Sequence, residues 1–205
     1  MKAFGYILVL LLMTGTNTMA DSRLPTINPE NYSDEQKAAA EEFEAARNRP
    51  VFGSFEPLMH SPNVMNRARS FGDYLRYHSA IGNTLSELVI LVTAREWTQD
   101  YEWYVHYPIA LKAGISKDIA DAIAEGRRPT GMSEDETIVY DFSIELHRNK
   151  QVSDVTFKAA LDRFGHKGVV DLTGINGYYT FLAMQMNMAQ YPLPDDGVKL
   201  KRLPE

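Results

Sequence analysis

Apolar positions recur along most of this chain at intervals of three and four residues, the period of amphipathic helices and not of strands. "SDEQKAAAEEFEAARNR" opens on Ser33 with Gln36 three residues later, a capping-box pattern, and Pro50 closes the helix it predicts. "SPNVMNRARSFGDYLRYH" places Ser61 at a cap and Pro62 at the first helical position, where a missing N–H costs nothing. Leu88, Leu91, Val92 and Arg95 continue at helical spacing after Thr84. Tyr101 to Ala113 predicts a further helix, stopped by Gly114. Ser116, Ser133 and Ser153 each read as a fresh N-cap, Ser133 with Glu136 three residues on. Gly126 and Gly165 follow the ends of two of these helices. Lys167 to Gln190 reads as a last long helix before the turn-rich "YPLPDDG". Residues 21–32 and 190–205 read as extended. The pattern predicts an all-α fold, a compact bundle of about six to eight helices forming one domain over residues 21–205.

Composition narrows the function. Hydrophobic residues make up 44% of 205 positions, enough for a sizeable core. The net charge of −6 is dispersed, with no basic stripe, which argues against nucleic acid or an anionic membrane surface as a partner. At the N-terminus Lys2 precedes an apolar run from Ala3 to Met13 that is short for a membrane span. "TGTNTMA" follows, with Thr18 and Ala20 at the small-residue positions before a cleavage point. Residues 1–20 are therefore expected to be a signal peptide, with a mature start at Asp21 and a periplasmic or secreted protein; an uncleaved anchor is the alternative. The chain has no cysteine, so it has no disulfide, thiolate nucleophile or thiol-based peroxidase cycle.

The candidate chemistry centres on "TQDYEWYVH", residues 98–106. Gln99, Glu102, Trp103 and His106 share a broad helical face, with Glu102 and His106 four residues apart. Trp103 and Tyr107 lie beside it as apolar walls. A histidine near such a wall and a carboxylate titrates near neutral pH, as acid–base work requires. The same spacing is common on solvated helices, and Trp103 alone fits a core position equally well. Glu102 and His106 also have metal-ligand chemistry, but no third ligand stands at a motif spacing and HExxH is absent, so no metal is expected. Glu87 closes "TLSE", and a capping box with Thr84 is enough to explain it. The remaining histidines read as structural or solvated. His60 precedes a cap, His78 ends a helix beside Arg76, His147 sits near a helix C-terminus where its charge suits the dipole, and His166 opens a loop.

"ELVILVTAREWTQDYEWYVHYPIALKAGIS", together with "HSPNVMNRARSFGDYLRYHSAI" upstream and "VVDLTGINGYYTFLAMQMNMAQYPLPDDG" downstream, resembles the carboxymuconolactone decarboxylase and alkyl hydroperoxidase D superfamily over about residues 50–197. Glu87, Arg95, Trp97, Tyr101, Glu102, Trp103, His106 and Gly114 carry the likeness. In the peroxidase branch a glutamate is followed by a cysteine twelve residues on, another three later, and a histidine four after that. Glu87 and His106 match the glutamate and the histidine, while Gln99 and Glu102 occupy the cysteine positions. The resemblance thus keeps a Glu–His proton relay and discards the thiols. It implies an alkyl hydroperoxidase D-like helical bundle, assembled as a homo-oligomer (dimer, trimer or hexamer), and a cofactor-free lyase or hydrolase of the lactone decarboxylase type acting on a small organic acid or lactone. His106 is then the expected general acid/base, Glu87 its partner and Glu102 a second proton carrier. Gln99 and Arg95 are expected to hold a carboxylate or oxyanion, Arg95 only if the helix runs on through Trp97. A non-catalytic protein holding an apolar ligand against Trp103 and Tyr101 is the alternative. "GINGYY" offers Gly174 and Gly177 for close backbone approach, between subunits or within one.

Overall fold

The computed structural model describes residues 22–203. The expected signal peptide at residues 1–20 and the cleavage before Asp21 lie outside the described residues. Helices α1 (Asp34–Arg47), α2 (Pro62–His78), α3 (Asn83–Glu96), α4 (Asp100–Ala113), α5 (Lys117–Ala124), α6 (Glu134–Asn149) and α7 (Asp154–Ala189) follow in order, with no strand among the described residues. The cap signals hold where they are local. Ser33 accepts from Gln36 N–H at 3.2 Å while Gln36 accepts from Ser33 N–H at 2.9 Å. Ser133 and Glu136 repeat that exchange, and Ser116 and Ser153 cap α5 and α7. Gly165 interrupts the helix as expected, dividing α7 into two helical stretches. Its positive φ (66°, with ψ 178°) suits glycine and kinks α7, and the chain resumes its helical course at His166, which therefore opens no loop.

Helix α3 is the centre of the molecule. Every residue from Ser86 to Arg95 is buried, as expected of a helix surrounded on all sides. Leu88, Ile90 and Leu91 are fully buried, each contributing about 2–3 kcal/mol of transfer free energy. Apolar packing of this size fixes the position of α3, so its buried polar residues are carried into the interior by their neighbours.

The connection between α3 and α4 determines the site. Thr98 takes a left-handed conformation (φ 46°), uncommon for a β-branched residue, and reverses the chain. Its hydroxyl accepts from Arg95 Nη2 at 2.5 Å. The two helices therefore run back along each other, and Glu87 meets His106 across the hairpin. Helix α3 begins at Asn83, with Gly82 as its cap (φ 79°) and no side-chain capping bond. Thr84 instead donates to the Ala113 carbonyl at 2.6 Å, pinning the open end of the hairpin. The capping-box explanation of Glu87 is thus overturned, because Thr84 is already inside the helix.

Helix α2 packs between α1 and α7. Gly72 is required there, since a Cβ at that position would lie 2.3 Å from the Tyr178 hydroxyl oxygen. Gly72→Ala is expected to lower stability by about 1–3 kcal/mol, the usual cost of overpacking; an unchanged denaturation midpoint would refute the packing argument. Gly174 also allows close approach, with a notional Cβ 2.9 Å from Leu75 Cδ2, whereas Gly177 has nothing within 4 Å. The chain after α7 is extended and laced back onto α4. Leu200 N–H donates to Asp100 at 2.9 Å, and Arg202 pairs with the same carboxylate at 2.8 Å.

Candidate functional site

The α3–α4 hairpin buries three ionisable side chains side by side. Glu87 is 0% exposed, Glu102 2% and His106 7%. His106 Nδ1 stands 2.7 Å from Glu87 Oε2. Arg76 Nη2, from α2, stands 3.3 Å from the other Glu87 oxygen, near enough for ion pairing but not aligned for a hydrogen bond. The Tyr179 ring meets the imidazole edge-on, centroids 5.2 Å apart, and limits its rotation.

The electrostatics follow from burial. Loss of solvation lowers the His106 pKa, and the bond to Glu87 opposes that shift only in part. The imidazole is therefore neutral at pH 7. Beside the Glu87 carboxylate its proton sits on Nδ1, leaving the Nε2 lone pair free to accept a proton. Glu102 is shifted the opposite way: desolvation raises its pKa well above the ordinary value, and neither carboxyl oxygen has a hydrogen-bond partner among the described residues. A histidine pushed toward its neutral form and a carboxyl pushed toward its protonated form thus lie one helical turn apart on α4. Divergent pKa shifts in neighbouring groups are the pattern of an acid–base site.

His106, Glu102 and Tyr101 border a cavity of about 100 Å³. Arg47 closes it from the end of α1, Arg76 from α2, Tyr178 and Tyr179 from α7, and Phe52 to Phe55 from the loop after α1. Arg47, Arg76, Tyr178 and Tyr179 were not singled out as site residues from the sequence. They come from three helices, and only the tyrosine pair within "GINGYY" offers a local signal: two adjacent phenols in the last long helix.

The other expected site residues lie elsewhere. Gln99 is the N-cap of α4; its side chain accepts from Glu102 N–H at 3.0 Å and donates to Asn187 at 3.1 Å, so it holds the helix and not a substrate. Arg95 fails in the expected role because the helix does break at Thr98. Its guanidinium turns away to the carbonyls of Ala124 (3.1 Å) and Lys201 (2.8 Å) and ties down the C-terminal tail. Trp103 and Tyr107 do not wall the His106 cavity. With Pro108, Val198, Leu200 and Leu203 they line a separate, mostly apolar cleft of about 610 Å³ on the other side of α4. The charged role expected for His147 is also corrected. Its Nε2 lies 3.1 Å from the Thr93 hydroxyl, and partial burial lowers its pKa, which favours the neutral ring.

No family model matches the chain, and no curated protein does. Solved structures match its fold. An alkylhydroperoxidase AhpD core protein of Ralstonia eutropha JMP134, described as an uncharacterized peroxidase-related protein, superposes with a TM-score of 0.68 at 17% identity, over 85% of this chain and 93% of that one. An uncharacterized peroxidase-related protein of Silicibacter sp. TM1040 superposes with a TM-score of 0.68 at 11% identity, over 91% of this chain and 100% of that one. At these identities the likeness is one of architecture, and the chain has the all-helical alkylhydroperoxidase AhpD-like fold.

Proposed function

We propose that the protein is an exported, cofactor-free lyase or hydrolase that acts by acid–base chemistry on a small organic acid or lactone. The buried Glu87–His106 pair at 2.7 Å, beside a cavity, carries this reading. Nε2 of His106 takes a proton from a carbon acid or from an attacking water. The resulting imidazolium is stabilised through Nδ1 by the Glu87 carboxylate, and Arg76 keeps that carboxylate in place. Such assistance contributes about 10²–10⁴ in rate. Neutral Glu102 supplies a proton to the oxyanion that develops and regains it from His106 when the product leaves. Homo-oligomeric assembly belongs to the same reading and is supported by exposed apolar side chains on the outer faces of α2 and α7, among them Phe71, Val170, Met184 and Met188.

Two arms test the reading. Mature protein screened against lactones and short unsaturated or oxo acids is expected to open a ring or release carbon dioxide with at least one of them, and His106→Ala is expected to lose that activity. With hydroperoxides and a dithiol reductant the rate is expected to stay at the uncatalysed level, because the chain has no cysteine to cycle. Robust dithiol-dependent turnover would contradict the acid–base account. The alternative of an apolar-ligand carrier draws on the cleft beside Trp103 and Tyr107, whose 610 Å³ lies in the range of small-molecule sites. Quenching of Trp103 fluorescence by an apolar ligand, with no turnover in the screen, would favour the carrier.

A further inference from the structure

We propose that the cavity beside His106 is a carboxylate-binding subsite for a compact monocarboxylate, with Arg47 and Arg76 as its anion-recognising residues. The proposal deepens the acid–base reading and rests on it only for the location of the site. The argument starts from the ion pairs. Arg47 Nη2 meets Asp73 at 2.7 Å, and Arg76 Nη2 meets Glu87 at 3.3 Å. Each guanidinium spends one corner on its counter-charge, and in each the Nε donor is buried with no partner among the described residues. Both guanidiniums line the cavity, and each meets its counter-charge through a single nitrogen, which leaves further N–H groups for an incoming acceptor.

The inventory around the cavity points the same way. Arg47 and Arg76 bring donors. The Tyr178 and Tyr179 phenols, kept protonated by burial, bring two more. Glu102, itself buried and unpartnered, is neutral and also has a proton to give. Against these stand fewer acceptors: Nε2 of His106, one Glu87 oxygen and the carbonyl oxygen of the Glu102 carboxyl. A ligand rich in acceptors satisfies this set, whereas an amine or an amide nitrogen does not. A carboxylate suits guanidinium edges, since charge-assisted bonds of this kind are about twice as strong as neutral ones. Because Asp73 and Glu87 already balance the two arginines, the selectivity comes from directed donors and not from net positive charge.

Volume sets the size. A dry cavity of about 150 Å³ takes benzene. The 100 Å³ here therefore admits a molecule smaller than benzene, of about four or five non-hydrogen atoms. Phe52, Phe55, Leu182 and Met186 offer an apolar wall for its short carbon body. A lactone ring carrying carboxylate arms exceeds this space.

Titration calorimetry of the mature protein with propanoate, its neutral isostere propanamide and the longer octanoate tests the proposal without any variant. Propanoate is expected to bind at least tenfold more tightly than either of the others. Arg47→Gln is expected to weaken propanoate at least tenfold and leave propanamide unchanged. Arg47→Lys, which keeps the charge and the ion pair with Asp73, serves if the first variant does not fold, and is expected to recover only part of the affinity. Equal affinity for acid and amide, or wild-type propanoate affinity in folded Arg47→Gln, overturns the proposal. Selective propanoate binding without turnover of any screened compound would uphold it and defeat the enzymatic reading. Turnover of neutral lactones without acid selectivity would do the reverse.

Discussion

Replacing His106 with alanine is expected to reduce turnover by about 100-fold or more while leaving the fold intact. Glu87→Gln is expected to cause a comparable loss, because the amide no longer stabilises an imidazolium. The double variant should be little worse than either single one, since groups that act as a unit do not contribute additively. Stability distinguishes this from a structural role. His106→Ala removes a ring that is 7% exposed and packed on Tyr179, so some loss of melting temperature is expected. Glu87→Gln keeps the shape and an acceptor for the His106 N–H but gives up the charge facing Arg76. If Glu87 were only a structural partner, its melting temperature would fall with turnover preserved. Full activity in folded His106→Ala would end the catalytic account.

Glu102→Gln is expected to separate stability from activity. The native state keeps a proton on Glu102 that the unfolded chain releases above about pH 4.5. Between pH 4.5 and the raised native pKa the folded protein binds more protons than the unfolded one. Stability therefore declines as pH rises through that window. Glutamine has the same shape and does not ionise, so the variant should escape the decline. It is expected to be more stable than wild type at pH 8. The difference should vanish near pH 4.5. Turnover should nonetheless fall about 100-fold, because an amide cannot release the proton. A stability gain independent of pH would show that Glu102 is ionised in the native state, and full activity would remove it from the mechanism.

The fold was legible because its signals are local. Ser33 with Gln36, and Ser133 with Glu136, need only their own first turn to form the bonds that define a helix start. The apolar run around Leu88 to Leu91 marks a helix buried on all sides for the same reason. What misled is what depends on a distant partner. "TLSE" looks like a capping box until Thr84 finds the Ala113 carbonyl, 29 residues away, and Glu87 is then free to meet His106. Arg95 and Gln99 lie at helical spacing on paper, but the reversal at Thr98 sends one to the C-terminal tail and makes the other a cap. Trp103 and His106 seemed to share a pocket. Two side chains three residues apart on a helix point about 60° from each other, and the packing of α7 and of the C-terminal tail places the two rings in different cavities. Arg47, at the end of α1, and Arg76, on α2, could not be assigned at all, because nothing in the sequence sets how α1 and α2 approach α4.

The central claim is that His106 is a neutral base whose proton on Nδ1 is held by Glu87. Nitrogen-15 NMR of the imidazole, followed from pH 5 to 8, tests it most directly. The account predicts a proton on Nδ1 and a free lone pair on Nε2 at pH 7, with a titration midpoint below the 6.5 of an unperturbed histidine. An imidazolium at pH 7, or a neutral ring with its proton on Nε2, would contradict it.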